Sequence, residues 1–396
     1  MSVFRQITSI SAMNLRSIPL RLGTSFVIVI GIAGVVGVML SVLAMSTGLM
    51  KTIASSGSPE RAIVLRGGSN AEIASATSRD QAQTIMDAPG VKHAPDGKPI
   101  ASADTITLVD IPTEAGASWA NVTIRGVGAK IFELRPEMKI VEGRMFKPAV
   151  HEIIVGSKAY SQFEALKIGK TLRFANGEWT IVGVFESGGD RHESEVYGDG
   201  ETVMSAIQRN GYQPVTVRLE SLDAFDKFKT ALTTNPTLSV DVKRESDFFA
   251  EQGKPASRII AIIAYVVGGI MAVGALFGAL NTMYSAVSAR ALEIATLRAL
   301  GFGATSVVIS VFAEALLLSL LGAVLGTIAA WLFFDGNVIS TSAGGSGISQ
   351  LVFALTLTPA LIVLGIVWAC AIGLVGGLFP AVRAARLPVA QALRAV

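Results

Sequence analysis

The apolar positions of this chain fall into four long blocks, and most of its polar positions fall in one stretch between the first block and the second. Residues 22–46 are apolar without a single charge. At about 1.5 Å rise per residue they make a helix of about 38 Å, enough for a hydrocarbon core of about 30 Å. The apolar core of a cleaved signal peptide is only about 7–15 residues, so this block predicts an uncleaved first span within 1–50. Further spans are predicted over 258–284, 304–334 and 355–381. The stretch 51–257 instead shows turns, caps and alternation. It predicts a folded domain in water, inserted between the first span and the second.

Within that domain, residues 62–65 read as a strand. Ser78 followed by Gln81 fits a capping box for a helix to about Met86, and Pro89-Gly90 stops it. Strand pattern returns around 100–109. Near the end the layout repeats: a strand at 215–219, Ser221 as a cap, a helix over 222–232 and a strand at 238–242. Two strand–helix–strand units that bracket a domain predict a split α/β sandwich. Between them, about 112–212 predicts an inserted β-rich lobe. It has strands at 121–127 and 152–155, a helix at 157–166, and a hairpin from 171 to 185 turning at Asn176-Gly177. The fold class is therefore a four-helix membrane protein carrying an extracytoplasmic, two-lobed α/β domain.

Composition sharpens this picture. Only 16% of the 396 residues are charged, against about 25% in an ordinary soluble domain. Residues 51–257 nevertheless hold 24 Lys and Arg and 27 Asp and Glu, so the shortfall belongs to the apolar blocks. Cys370, in an apolar run, is the chain's one cysteine, which excludes an internal disulfide. The pI near 9.0 suggests nucleic-acid binding until the charges are placed. Arg5, Arg16 and Arg21 precede the first span; Arg290 and Arg298 against Glu293 lie at 285–303; Arg383, Arg386 and Arg394 close the chain at 382–396. The loop 335–354 carries only Asp335. The positive-inside rule puts both termini and 285–303 in the cytoplasm, and the large domain and 335–354 on the other side. The basic pI is then orientation bias, and no nucleic-acid partner is expected.

Candidate chemistry is sparse. His93, His151 and His192 are scattered, and the first and second read as surface residues. Asp190-Arg191-His192-Glu193-Ser194-Glu195 contains metal-ligand types, but its interspersed signs predict a solvated charged loop. Ile168-Gly169-Lys170-Thr171 mimics the end of a phosphate-binding loop, yet the glycine required five residues before Gly169 is Glu164. No metal, no catalytic cluster and no nucleotide site of its own are expected. Glu314 lies about 15 Å into the third span, where an ionisable residue is a functional candidate. It predicts a role in gating or bundle packing, facing a wet interior or a polar neighbour such as Asn281. Gly274/Gly278, Gly322/Gly326 and Gly373/Gly377 are spaced for close helix approach, within the chain or across a dimer. No span carries a polar run suited to line an aqueous channel.

The stretch 285–303 predicts a short helix held between two spans. Gly301 and Gly303 stop it, and Arg290 and Glu293 share a face. Its residues 290–301 read Arg-Ala-Leu-Glu-Ile-Ala-Thr-Leu-Arg-Ala-Leu-Gly. They resemble the "R-x-x-E-I-G-x-L-R-A-L-G" signature of permease subunits in the MacB/FtsX (type VII) family of ABC transporters, with Ala295 in place of the usual glycine. Val141-Glu142-Gly143-Arg144-Met145-Phe146, with 153–156 and 168–184, is similar to the periplasmic core domain of MacB-type permeases. The closing 380–394 resembles the family's "P-A-x-R-A-A-R-L-x-P-x-x-A-L-R" motif, its second proline one place early.

The resemblance implies that 285–303 is a coupling helix, with Arg290, Glu293, Ile294, Leu297, Arg298 and Leu300 meeting a separate cytoplasmic ATPase that binds ATP and magnesium. It implies a bacterial inner-membrane permease working with a second permease, identical or not, among membrane lipids and with a periplasmic adaptor as a further partner. Three outputs are open: efflux of a drug, lipid or peptide; lipoprotein release, as in the similar LolC/LolE permeases; and FtsX-like activation of a cell-wall hydrolase. The large domain favours efflux. A membrane-anchored sensor or adhesion protein without an ATPase, and a membrane enzyme, are the rival classes.

Overall fold

A computed structural model describes residues 22–112, 119–175, 177–341 and 350–386, with 6, 7 and 13 besides. Arg5, Arg16, Arg21, Asn176, Arg394 and the end of the closing motif lie outside the described residues. The first element described over its whole length is a long helix, α1 (Leu22–Ala54). There follow β1 (Arg61–Arg66), α2 (Arg79–Met86), β2 (Ala101–Ala103), β3 (Thr105–Pro112), β4 (Trp119–Val127), α3 (Ile131–Leu134), β5 (Lys139–Gly143), β6 (Glu152–Gly156), α4 (Ser157–Gln162), β7 (Thr171–Phe174) and β8 (Gly177–Glu186). Then come β9 (Val196–Asp199), α5 (Gly200–Ala206), β10 (Val215–Arg218), α6 (Ala224–Thr233), β11 (Val240–Arg244), α7 (Glu245–Ala289) and α8 (Ala291–Ala299). Last are α9 (Ala304–Phe334), β12 (Val338–Ser340), β13 (Val352–Ala354) and α10 (Pro359–Ala385).

The chain divides into two compact units. One is α/β, residues 48–255 with 338–354; the other is helical, residues 1–47, 256–337 and 355–396. Helices α1 and α7 contribute residues to both.

The α/β unit holds two sheets. A four-stranded antiparallel sheet runs β11-β1-β10-β2. Alternation along central β1 sends Ala62 and Val64 to a core with Ile85, Phe228 and Leu232 of α2 and α6, and Ile63 and Leu65 to Phe248 and Phe249 at the start of α7. Both faces are thus covered, which is why β1 is nearly all apolar. The Ser78–Gln81 capping box starts α2 as its sequence predicts. Helix α6 begins later than expected: Asp223 is its N-cap, while Ser221 contributes only a carbonyl that accepts from the Ala224 N–H at 3.2 Å.

The second sheet is mixed and seven-stranded, β3-β4-β9-β6-β8-β5 with β7 on β8. Alternation again serves two cores. Ile153 and Val155 pack with Trp179 on one face, while Ile154 joins Phe185 and Tyr197 on the other. The β7–β8 hairpin pairs Phe174 with Gly177, so Gly177, expected in the turn, is instead the first residue of β8. Ala175 there takes φ 49°, the left-handed conformation such a turn requires. The predicted 157–166 helix breaks at Phe163 into α4 and a 3₁₀ turn.

Helices α1, α7, α9 and α10 are long and apolar enough to cross a membrane. In the helical unit the glycines behave in two ways. A Cβ on Gly326 would meet the Ala33 carbonyl oxygen at 2.5 Å, and one on Gly322 the Val29 carbonyl at 2.9 Å, so α9 lies almost on the backbone of α1. Gly373 and Gly377 of α10 face Ser319 and Ala315 of α9 equally closely. Gly274 and Gly278 of α7 have nothing within 4 Å.

Candidate functional site

Two constellations stand out, one in each unit. In the helical unit it is built around α8. The polypeptide leaves α7 at Ala289, breaks helical geometry at Arg290 and re-enters a helix at once. Gly301 ends α8 with φ 92°, a conformation costly for a residue with a side chain. Helical periodicity then sorts the residues. Ile294 and Ala295 are buried, Leu297 and Arg298 half-buried, and an outward stripe forms from Leu292, Glu293, Thr296, Ala299 and Leu300. Leu300 is 73% exposed and Leu292 46%, although both are apolar.

The predicted coupling residues are therefore split. Glu293 and Leu300 face outward; Arg290 and Ile294 face inward. Leu292, Thr296 and Ala299 join the outward stripe, and the i, i+4, i+7 spacing from 292 would have found them.

The inward residues tie α8 to other helices of the unit. Arg290 is buried; its Nε donates to Glu293 at 3.2 Å, and its Nη1 to Glu314 of α9 at 3.4 Å. Asn281, the expected polar neighbour of Glu314, is exposed on α7 instead. An intramembrane carboxylate takes a cation when one is in reach, because a full charge in low dielectric demands more than an amide supplies. Arg298 donates to the carbonyl of Ala385, the last residue of α10, at 2.7 Å. The Arg383 guanidinium lies 5.4 Å from the Tyr284 ring centroid, joining α10 to α7. A narrow cleft lies behind α8, lined by Met283, Val287, Arg290, Glu293, Leu297 and Glu314.

In the α/β unit the constellation is a buried cluster of charge that sequence reasoning missed. The stretch 190–195 is not a solvated loop: Asp190, His192, Glu193, Ser194 and Glu195 are all buried. It winds into a 3₁₀ turn, started by the Asp190 side chain accepting from the His192 N–H. Its partners come from far away in sequence. Arg125 of β4 donates from Nε to Glu195 at 2.7 Å, and from Nη1 to Glu72 at 3.0 Å and Asp104 at 3.1 Å. Arg191 pairs with Glu72 and Glu195, each at 3.1 Å. Asp104 stands at the crossing from the four-stranded sheet, which β2 leaves, to the seven-stranded sheet, which β3 enters.

The electrostatics follow from counting charges. Two arginines face three carboxylates. Burial works to raise Glu72, but Arg125 and Arg191 outweigh it and hold its pKa at about 2. Glu195 is lowered against burial by the same two arginines. On Asp104 burial wins over Arg125 and the pKa rises, so the third carboxylate is the one pressed toward its neutral form. His192 is pushed well below its ordinary range, first by burial and then by the Arg135 charge. It sits 2.9 Å from Asp190, edge-on to Phe249 of α7.

Among the described residues no group of three or more His, Cys, Asp and Glu is arranged to hold a metal ion. Lys170, of the phosphate-loop mimic, is paired on the surface with Glu164 at 2.6 Å. His93 and His151 are exposed, the latter stacked on Trp179.

Comparison with known proteins places this architecture. Residues 22–235 match the MacB-like periplasmic core domain, and residues 265–389 the FtsX-like permease C-terminal region. The macrolide export ATP-binding/permease protein MacB of Campylobacter jejuni is 26% identical over 98% of this chain. This chain spans 60% of that relative's length. An uncharacterised ABC transporter permease of Methanocaldococcus jannaschii is 24% identical, over 58% of each chain. The periplasmic region of MacB from Actinobacillus actinomycetemcomitans covers 49% of this chain and 92% of its own, at 15% identity and a TM-score of 0.38. With a MacB-like core domain matched over more than half its length and an FtsX-like region after it, the chain belongs to the family of MacB-like ABC transporter permeases.

Proposed function

We propose that this chain is the transmembrane subunit of an ABC exporter, moving a drug, lipid or peptide outward under the drive of a separate cytoplasmic ATPase that binds ATP and magnesium. The observation that carries the reading is the outward stripe of α8. Leu292 and Leu300 flank Glu293, Thr296 and Ala299, while the opposite face is anchored in the bundle. A short helix exposing leucines beside a charge, and backed by fixed contacts, suits a rigid partner that pushes on it.

In this reading α8, the first residues and the tail lie in the cytoplasm of a bacterium, and the α/β unit lies in the periplasm. Closure of the ATPase presses α8. The Arg290–Glu314 pair passes the displacement to α9, and the Arg298–Ala385 bond passes it to α10. Helices α1 and α7, which contribute to both units, carry it to the α/β unit. A second permease, identical or related, completes the transporter, and an adaptor extends it. The macrolide export in the relatives' names supports efflux as the output.

The test is purification of the tagged chain from its native host in mild detergent, with mass spectrometry of what accompanies it. A stoichiometric ATPase is expected. Leu292→Glu with Leu300→Glu should abolish it while leaving the melting curve unchanged, since both residues face outward. A complex without an ATPase would overturn the reading and favour a sensor. A cell-wall hydrolase in the same peak would replace export with signalling.

A further inference from the structure

Glu245, the first residue of α7, is fully buried and meets three donors. Its Oε1 accepts from Arg135 Nη2 at 2.5 Å. Its Oε2 accepts from Arg61 Nε at 2.5 Å and from the Ser58 N–H at 3.1 Å. These donors come from three places. Ser58 lies just past the end of α1, Arg61 opens β1 of the four-stranded sheet, and Arg135 follows α3, whose Ile131 and Leu134 pack in a core of the seven-stranded sheet.

The arginines reinforce the arrangement. Arg135 also donates to the Ser56 carbonyl at 3.2 Å, and Arg61 to the Leu134 carbonyl at 3.3 Å. Arg61 further pairs with Glu137 at 2.8 Å. Between the serines, a Cβ on Gly57 would meet the Glu245 carbonyl oxygen at 2.5 Å, so the strand leaving α1 crosses the start of α7 backbone against backbone.

We propose that Glu245 is a positioning residue. It fixes the seven-stranded lobe, through Arg135, to the paired ends of α1 and α7, so that any change of tilt between those ends turns the lobe as a rigid body. Two properties support more than simple stabilisation. The two carboxylate oxygens are divided between the lobes, Oε1 to Arg135 and Oε2 to Arg61. Both arginines also reach backbone carbonyls of the opposite side, so the joint is bidentate in each direction and resists rotation. The inference concerns how the lobe is attached, and stands whether or not an ATPase drives the helices.

The test is distance measurement by paired spin labels in the full chain, reconstituted in lipid nanodiscs with Cys370→Ala as background. Lys139→Cys with Lys254→Cys reports the seven-stranded lobe against α7. Asp226→Cys with Lys254→Cys reports the four-stranded lobe against α7; all three positions are exposed. Both distributions should be narrow in the parent. Arg135→Gln should widen the 139–254 distribution about twofold and leave 226–254 narrow, because the buried carboxylate loses its partner on that side alone. Glu245→Gln should widen it as well, and Glu245→Asp should restore it. Glu152→Gln, which breaks the exposed Arg144 pair, should change neither. A lower melting temperature with a 139–254 distribution as narrow as the parent's would reduce Glu245 to an ordinary stabilising group and overturn the proposal. If Glu245→Gln does not fold, Arg135→Gln decides, since it keeps the Arg61–Glu245 pair.

Discussion

The α/β unit closes part of its interior with charge, whereas the helical unit closes part of its own on glycine. Around Arg125 three carboxylates and a second arginine are brought out of water and satisfy one another. Around Gly322 and Gly326 helix backbones touch with almost no side chain between them. The difference follows from the solvent. In water the hydrophobic effect assembles a core, and polar groups caught in it must find partners or cost several kcal/mol. In lipid there is no such drive between helices, so association relies on van der Waals contact at close range. The charge pairs described inside the helical unit, Arg290 with Glu293 and with Glu314, sit at α8 and not between the close-packed spans.

The sharpest way to break this comparison is to remove the cation from the α/β cluster. Arg125→Leu should destabilise the chain by about 3–5 kcal/mol, because Glu72 and Glu195 would remain buried without their main partner. Denaturant unfolding of the detergent-solubilised protein reads this, and a change under about 1 kcal/mol would mean that water reaches the cluster. Next is the glycine contact. Gly326→Val inserts side-chain atoms where a Cβ alone would lie 2.5 Å from the Ala33 carbonyl, and should cost about 1–3 kcal/mol. Gly274→Val should cost less than about 0.5 kcal/mol in the same assay, since nothing lies within 4 Å of it. An equal loss at both positions would end the distinction between packed and open glycines.

A smaller effect is expected at the membrane pair. Glu314→Gln keeps the shape and leaves Arg290 its pair with Glu293, so it should cost about 1–2 kcal/mol, less than the loss of a sole partner. On the export reading it should also weaken coupling of ATP hydrolysis to transport. The last effect is on pH dependence. His192 binds its proton less readily folded than unfolded, so the unfolded chain holds more protons as pH falls below about 6.5, and stability declines in that direction. The limiting slope for one proton is about 1.4 kcal/mol per pH unit. His192→Gln should flatten the curve between about pH 6.5 and 5, above the ordinary carboxylate range in which Glu72 and Glu195 begin to matter.

What the sequence discloses and what it hides divide along a physical line. A membrane span is a local property, readable from about 20 consecutive residues, and so is the Ser78–Gln81 capping box. Strand alternation is nearly as local. Exposure of a charge is not. The residues 190–195 look like a surface loop because both signs alternate, and nothing nearby reveals that Arg125, Glu72 and Arg135 will surround them. The available hint lay elsewhere. Arg125 follows Val122 and Ile124 in a strand buried on both faces, where an arginine requires a partner. Glu314 teaches the same point. Its depth in the span was legible, but its partner depends on where the chain turns back, and that placed Arg290 rather than Asn281 within reach. The β7–β8 hairpin shows the limit of turn motifs: an Asn-Gly pair marks where the chain turns, but cross-strand register makes Gly177 the first residue of β8.

The short β12–β13 hairpin is a part of the α/β unit that arrives late in the chain. Its Val352 N–H donates to Ser194 at 3.1 Å, the Gln350 N–H donates to the Asn121 carbonyl at 2.7 Å, and Phe353 is fully buried. A soluble fragment cut at 48 and 255 would therefore be an incomplete protein, with a raw apolar scar beside Ser194 where two strands belong. Anyone wishing to study that half alone should supply 338–354 as well, fused through a linker or added as a peptide. The same arrangement gives synthesis a natural checkpoint: the unit whose first residues emerge early from the ribosome cannot be finished until the third long helix has been made.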